Sequence, residues 1–308
     1  MKNICLLFPG QGSQYVGMAK SFLEIEKFKK LGLKASEIIN QPLIKLMLDG
    51  PLEELTKTQI TQVAILLHSH MAFLYAQENG LQASMALGHS LGEYSALVAS
   101  EVISFEDAVA LVYKRGLLMS QACPNKDGSM AAVLGLDTKS IQDIVQSFSD
   151  ENSPNYVAIA NYNTDNQTVI AGKIAGINNV KELLLKKGAK KIIDLNVSAP
   201  FHCAIMKPVA EKMSKILQDI SFATPKFSII SNVSGLAQNN PKDIKRLIIE
   251  QIASPVRFKT CVEYIKNNYQ DTNYLELGPK NVLCGLVKKI DLNAHCENLD
   301  NLEGTSNV

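Results

Sequence analysis

The chain has 308 residues, 46% of them hydrophobic and 20% charged, with a formal net charge of +1. At ~150 residues per domain that length suggests about two domains and buries a full core. The hydrophobic share and small net charge exclude a disordered chain, and the lack of a basic excess argues against nucleic-acid binding.

Residues 4–8 are a continuous apolar run stopped by Pro9-Gly10, the pattern of a buried parallel strand. That run is also too short for the ~7–15-residue apolar core of a signal peptide. Helical periodicity then dominates to about residue 79, and 59–77 is apolar or small nearly all round, which predicts a buried helix. His68, Ser69 and His70 interrupt its apolar stretch, which falls short of the ~18 residues of a membrane span. A short strand at 84–87 and a helix at 91–100 follow. Ser104, with Asp107 three residues on, forms a loose capping box for a helix to about residue 122.

The next stretch changes character. A strand at 130–136, a helix at 138–148, strands at 156–161 and 167–171, a helix at 174–187 closed by Gly188, and a strand at 190–195 give the order β-α-β-β-α-β. After Pro200 the earlier alternation returns. Helices are expected at 207–220, 241–253, 257–267 and 281–290, with strands at 226–230 and 274–277. Outside the middle unit, four short apolar strands remain between helices. The fold class that results is α/β: a hydrolase-like parallel-sheet domain over 1–127 and 199–308, with a ferredoxin-like (βαββαβ) subdomain inserted over 128–198. The polar tail after Ile290 is expected to fray. Cys5, Cys123, Cys203, Cys261, Cys284 and Cys296 have no metal-ligand spacing and read as reduced thiols of a soluble cytoplasmic protein.

Gly88-His89-Ser90-Leu91-Gly92 is a G-x-S-x-G pentapeptide, weak by itself but set between a predicted strand and a predicted helix, as a nucleophile elbow requires. The glycines permit the tight turn. Ser90 then stands at a helix N-terminus, and the Leu91 N–H is placed to stabilise an oxyanion. The plainer alternative is a Gly-Ser helix start without chemistry. A serine nucleophile needs a base. Among five histidines, His68 and His70 fall inside the apolar helix, His295 lies in the tail, and the side chain of His89 points elsewhere at an elbow. That leaves His202, where the insertion returns to the main domain; the alternative is a surface-loop histidine. Arg115 shares a helical face with Ala108, Val112, Met119 and Ala122. An arginine on an apolar stripe is costly unless it meets an anion, and its planar fork suits a carboxylate. That anion is either a substrate carboxylate near Ser90 or an internal partner, and a snorkelling stem also remains open. The loop 9–14 lacks the spacing and the lysine of nucleotide-binding loops; it is either a second oxyanion donor or a plain turn.

Several motifs in order resemble the malonyl-CoA:acyl-carrier-protein transacylases: residues 8–14, Gly88 to Tyr94, Arg115-Gly116, Pro200-Phe201-His202, Ser231-Asn232-Val233, and Gln251 with Pro255-Val256-Arg257. The resemblance runs from Leu7 to about Leu286. It implies that Ser90 takes a malonyl group from malonyl-CoA as an ester, with His202 as general base and acid. It also implies an oxyanion hole from the N–H groups of Gln11 and Leu91, Arg115 on the malonyl carboxylate, and Gln251 ordering the His202 region. In this family a backbone carbonyl orients the histidine, so no acid is carried over; Asp194, the only aspartate shortly before His202, has no reason to face Ser90. The resemblance implies ping-pong transfer to the pantetheine thiol of acyl carrier protein, without metal or prosthetic group. Phe201 resembles the variant that accepts malonyl and crowds methylmalonyl. Lys280 stands where the family commonly has glycine, and Cys203 where serine is frequent.

Carrier proteins are acidic, so Lys186, Lys187, Lys190 and Lys191 are a candidate docking patch, or simply solvated lysines at a helix C-terminus. The expected partners are malonyl-CoA and acyl carrier protein, with no nucleic acid and no membrane, and the chain is expected to be a monomer. The competing readings are a serine thioesterase or other hydrolase, a discrete polyketide-synthase acyltransferase, and a carrier-binding module without catalysis.

Overall fold

The structure, a computed structural model, describes residues 3–302. Among these residues ten strands form two sheets: β1 Asn3–Phe8, β2 Met85–Gly88, β3 Gly128–Leu134, β4 Val157–Thr164, β5 Gln167–Lys173, β6 Lys191–Asp194, β7 Ser228–Ile230, β8 Ala237–Gln238, β9 Thr272–Leu277 and β10 His295–Leu299. The first sheet has the order β10-β9-β1-β2-β7-β8 and is parallel from β10 to β7, with β8 antiparallel at the edge. The second has the order β4-β5-β3-β6 and is antiparallel throughout. This is a mixed α/β molecule with a parallel core and a separate antiparallel sheet.

Alternation along the strands explains the two-sided burial of the first sheet. Leu6, Phe8 and Ala86 point into the larger core, beneath the helices Thr58–Glu78, Gly92–Ala99 and Phe105–Gln121. Cys5, Leu7, Met85, Leu87 and Ile230 point the other way, against the helices Phe258–Asn268 and Val282–Ile290. Thr58–Glu78 is buried on nearly every side, as its apolar composition requires. In the second sheet Ala131, Val133, Val157, Ile159 and Ile170 pack on the helices Thr138–Gln146 and Ile174–Lys187. The opposite face, with Met130, Ala132, Val169 and Ala171, joins the larger core. Ser104 caps Phe105–Gln121 by accepting the Asp107 N–H.

Three expectations are corrected. The parallel-sheet region has six strands rather than four. β8 is two residues long, and β10 lies at an edge with a polar sequence, so neither leaves an apolar run to be found. The chain after Ile290 does not fray over the described residues: β10 pairs with β9, the Asp300 carboxylate accepts from the Tyr15 hydroxyl, and the Asp300 carbonyl lies 2.8 Å from His68 Nε2. The rest of that tail, 303–308, lies outside the described residues. Finally, the cysteines are not all reduced. Cys284 and Cys296 form a disulfide, their Cα atoms 5.5 Å apart, because β10 brings Cys296 back under the helix that carries Cys284. Cys5, Cys123, Cys203 and Cys261 are free and buried.

Candidate active site

Three neighbouring strands deliver the site from their carboxyl ends, the usual position for ligands in an open parallel sheet. Phe8 on β1 is in register with Gly88 on β2, so the loop 9–14 and the turn 89–91 leave side by side. The approach is close enough to require glycine. A Cβ on Gly92 would stand 1.9 Å from the Phe8 carbonyl oxygen, one on Gly88 equally near Gly92, and one on Gly10 2.5 Å from the His89 oxygen. β7, on the other side of β2, leads directly into Ser231-Asn232. There Asn232 Oδ1 accepts the Ser90 N–H at 2.8 Å and its Nδ2 donates to the Gly88 oxygen at 2.6 Å. These bonds clamp Ser90 at φ +52°, the left-handed conformation of a nucleophile elbow.

Ser90 Oγ lies 2.7 Å from His202 Nε2 and accepts from Arg115 Nη2 at 3.1 Å. His202 sits at φ +59° in the strap leaving the second sheet, and its Nδ1 lies 2.9 Å from the Gln251 main-chain oxygen. That bond fixes the tautomer with Nε2 unprotonated toward serine. Burial, helped by the charge of Arg115, pushes the His202 pKa down to about 3, so the ring is neutral at pH 7 and its Nε2 lone pair is free to accept a proton. Asp194 is elsewhere, paired with Lys181 at 2.8 Å.

Arg115 is 1% exposed, yet its acceptors are all neutral: Nη1 donates to Gln62 Oε1 at 2.9 Å, and Nη2 to Gln251 Oε1 at 3.0 Å as well as to Ser90. Its guanidinium lies 5.4 Å from the Tyr94 ring centre, and its Nε has no hydrogen-bond partner among the described residues. The guanidinium is therefore held in place without being neutralised by a carboxylate in direct contact.

Ser90, Leu91, Gln11, Arg115, Phe201 and His202 all line one cavity of about 90 Å³. Among the described residues the N–H groups of Gln11 and Leu91 have no hydrogen-bond partner. A wider cavity of about 470 Å³ shares Gln11 and Val197 with the first and runs past Lys57, Thr58 and Ser198. The geometry can activate a hydroxyl, hold an oxyanion and bind a small acid. Lys186, Lys187, Lys190 and Lys191 are exposed on the second sheet and its helix, outside both cavities. Among the described residues no three His, Cys, Asp or Glu side chains gather as metal ligands, and no helix is long and apolar enough to cross a membrane.

Four participants had no role in the sequence reading, although Glu93 and Asn232 lay inside its motifs. Gln62, Glu93 and Asn232 hold the site's polar groups, and Asn163 Oδ1 lies 3.0 Å from His89 Nε2, turning that ring away from Ser90. Gln62 and Glu93 had a signal: each is a polar residue in a stretch otherwise fit for full burial.

The acyl transferase domain family matches residues 5–290. The malonyl CoA-acyl carrier protein transacylase of Bacillus subtilis strain 168 is 41% identical over 292 residues, 94% of this chain and 91% of the relative. The chain belongs to the malonyl CoA-acyl carrier protein transacylase family. The Staphylococcus aureus MW2 transacylase is 38% identical, covering 98% of this chain and 97% of its own. Solved members of the family share the architecture. The acyl carrier protein S-malonyltransferase of Vibrio cholerae aligns at a TM-score of 0.92 with 38% identity, over 97% of each chain. A malonyl-transacylase solved in complex with a type II PKS acyl-carrier protein aligns at 0.92 with 36% identity, over 97% of this chain and 96% of that one. Lys280, expected to be a departure from the family, carries a conformational cost. It stands at φ +63°, a position that suits the glycine expected there.

Proposed function

We propose that the protein transfers a malonyl group from malonyl-CoA to the pantetheine thiol of acyl carrier protein, through a malonyl ester on Ser90, for fatty-acid synthesis. The observation that carries this reading is the single hydroxyl shared between a neutral imidazole at 2.7 Å and, at 3.1 Å, a buried guanidinium that no carboxylate touches. In the first half-reaction His202 Nε2 takes the Ser90 proton as Oγ attacks the thioester carbonyl. The oxyanion rests on the N–H groups of Gln11 and Leu91. The coenzyme A thiolate leaves with the proton from His202. In the second half-reaction the carrier thiol gives its proton to His202 and attacks the ester, and the departing Ser90 Oγ takes that proton back from His202. Arg115 exchanges its contact with Ser90 for the malonyl carboxylate, and Phe201 crowds a methyl branch on that group. The smaller cavity suits a short acyl group, and the wider one suits the pantetheine arm.

Other features belong to the same reading. No metal or prosthetic group takes part. The catalytic domain comprises 1–127 and 199–308, and the strand order β4-β5-β3-β6 supports a ferredoxin-like subdomain over 128–198 in a hydrolase-like frame. The protein is a cytoplasmic monomer whose exposed lysines at 186, 187, 190 and 191 meet the acidic carrier. A polyketide role is the second reading, favoured by the PKS carrier bound to one structural relative.

Intact mass after mixing with malonyl-, methylmalonyl- or acetyl-CoA tests the proposal. A malonyl adduct is expected on the wild type and none on Ser90→Ala; absence of the wild-type adduct, or equally fast labelling by acetyl-CoA, would sink it.

A further inference from the structure

Glu93 is the second residue of the helix Gly92–Ala99, and it is 3% exposed. A carboxylate at a helix N-terminus is favoured by the dipole, but so complete a burial requires further partners. Glu93 Oε2 accepts from Gln251 Nε2 at 2.8 Å and from the Asn232 N–H at 3.3 Å. Gln251, fully buried, is the hub. Its main-chain oxygen meets His202 Nδ1, its Nε2 donates to the Ser90 oxygen at 2.8 Å as well as to Glu93, and its Oε1 accepts from Arg115 Nη2.

A glutamine amide presents two different ends, and a half-turn exchanges them. In the reversed orientation its NH₂ would face the guanidinium, and its oxygen would face the Ser90 carbonyl and the Glu93 carboxylate. Of the groups that forbid this, Glu93 is a charged side chain that meets neither Ser90 nor the cavity. We infer that Glu93 is a positioning residue for acyl-group selection: by holding the Gln251 amide with Oε1 toward Arg115, it keeps the guanidinium aimed at the acid-binding end of the cavity. The inference rests on Arg115 as the holder of the malonyl carboxylate.

The isosteric Glu93→Gln removes the charge that penalises the reversed amide. The kcat/KM for malonyl loading of Ser90 is expected to fall about tenfold, mainly through KM, with acetyl loading changed less than twofold. Glu93→Asp keeps the charge and should retain more of the malonyl preference than Glu93→Gln. A merely structural role would depress both acyl groups together, and that outcome, or no change in either, overturns the inference. The wild type gives a readout that depends on no variant folding. Burial pushes the Glu93 carboxyl up to about 7 against the pull of its hydrogen bonds and of Arg115. Of the titratable groups around it, Arg115 stays charged, while burial keeps Tyr94 and Cys261 neutral and His202 uncharged. The malonyl-to-acetyl ratio should therefore decline as pH falls from 8 to 6, and a flat ratio overturns the inference. Failure of the wild type to form any malonyl adduct would instead remove the functional reading beneath it.

Discussion

Arg115 is the largest side chain the fold buries completely, and its neighbours hold it without cancelling it. Neutral acceptors fix the fork in direction while leaving its charge for an incoming anion. Arg115→Ala should lower kcat/KM for malonyl loading about a hundredfold or more and leave acetyl loading nearly intact, measured as acyl-enzyme formation with the two thioesters. Equal losses would mean that the arginine serves the nucleophile and not the acid. Arg115 was legible in the sequence because a cation on an apolar helical stripe conflicts with its surroundings. Ser90 and His202 were legible from motif context. Asn232 lay inside a recognised motif, but nothing in one dimension says that its amide clamps the nucleophile's own N–H, a contact across 142 positions.

Among the elements, the central parallel strands were plain from their uninterrupted apolar runs, since a strand buried on both faces has no polar alternation. β10 was not. As an edge strand it buries only Cys296 and Leu299, so His-Cys-Glu-Asn-Leu reads as tail. Its partner helix Val282–Ile290 is anchored at its N-terminal end by Glu276, whose buried carboxylate accepts the N–H groups of Val282, Leu283 and Cys284. The disulfide closes a loop with a sequence separation of 12. Chain-entropy reasoning assigns such a loop roughly 3 kcal/mol. Cys296→Ser should lose about 2–3 kcal/mol in urea denaturation without reductant, and the difference from wild type should shrink once dithiothreitol is added. A variant as stable as wild type in both conditions would show that the pairing does not form in solution.

The molecule as a whole buries more titratable groups than a small net charge suggests, and the sequence could count these groups without locating them. Burial pushes His68 and His70 down to about 4, and His202 to about 3, from 6.5. The unfolded chain takes up protons at these histidines below pH 6.5 while the folded chain does not. The stability they support is complete above that pH and drains away as pH falls toward 4. Glu93 and Glu276, pushed up to about 7 by burial, act in the opposite sense and lend stability as pH falls from 7 to 4.5. With His89 also lowered, the histidines outnumber the glutamates. The urea midpoint should be lower at about pH 5 than at about pH 7.5, with a smaller drop in His70→Gln.

Ser90 and His202, the pair to which the proposed mechanism assigns the reactive proton, both sit in left-handed backbone, where a side chain costs about 1 kcal/mol or more relative to glycine. The positions that the proposed reaction needs most are thus ones where the fold, judged alone, would favour a different residue. A copy of this chain released from selection for activity has a downhill route open to it: glycine at position 90 relaxes the turn and silences the enzyme in one step. Serine at position 90 is thus placed for its chemistry, against the gradient of stability.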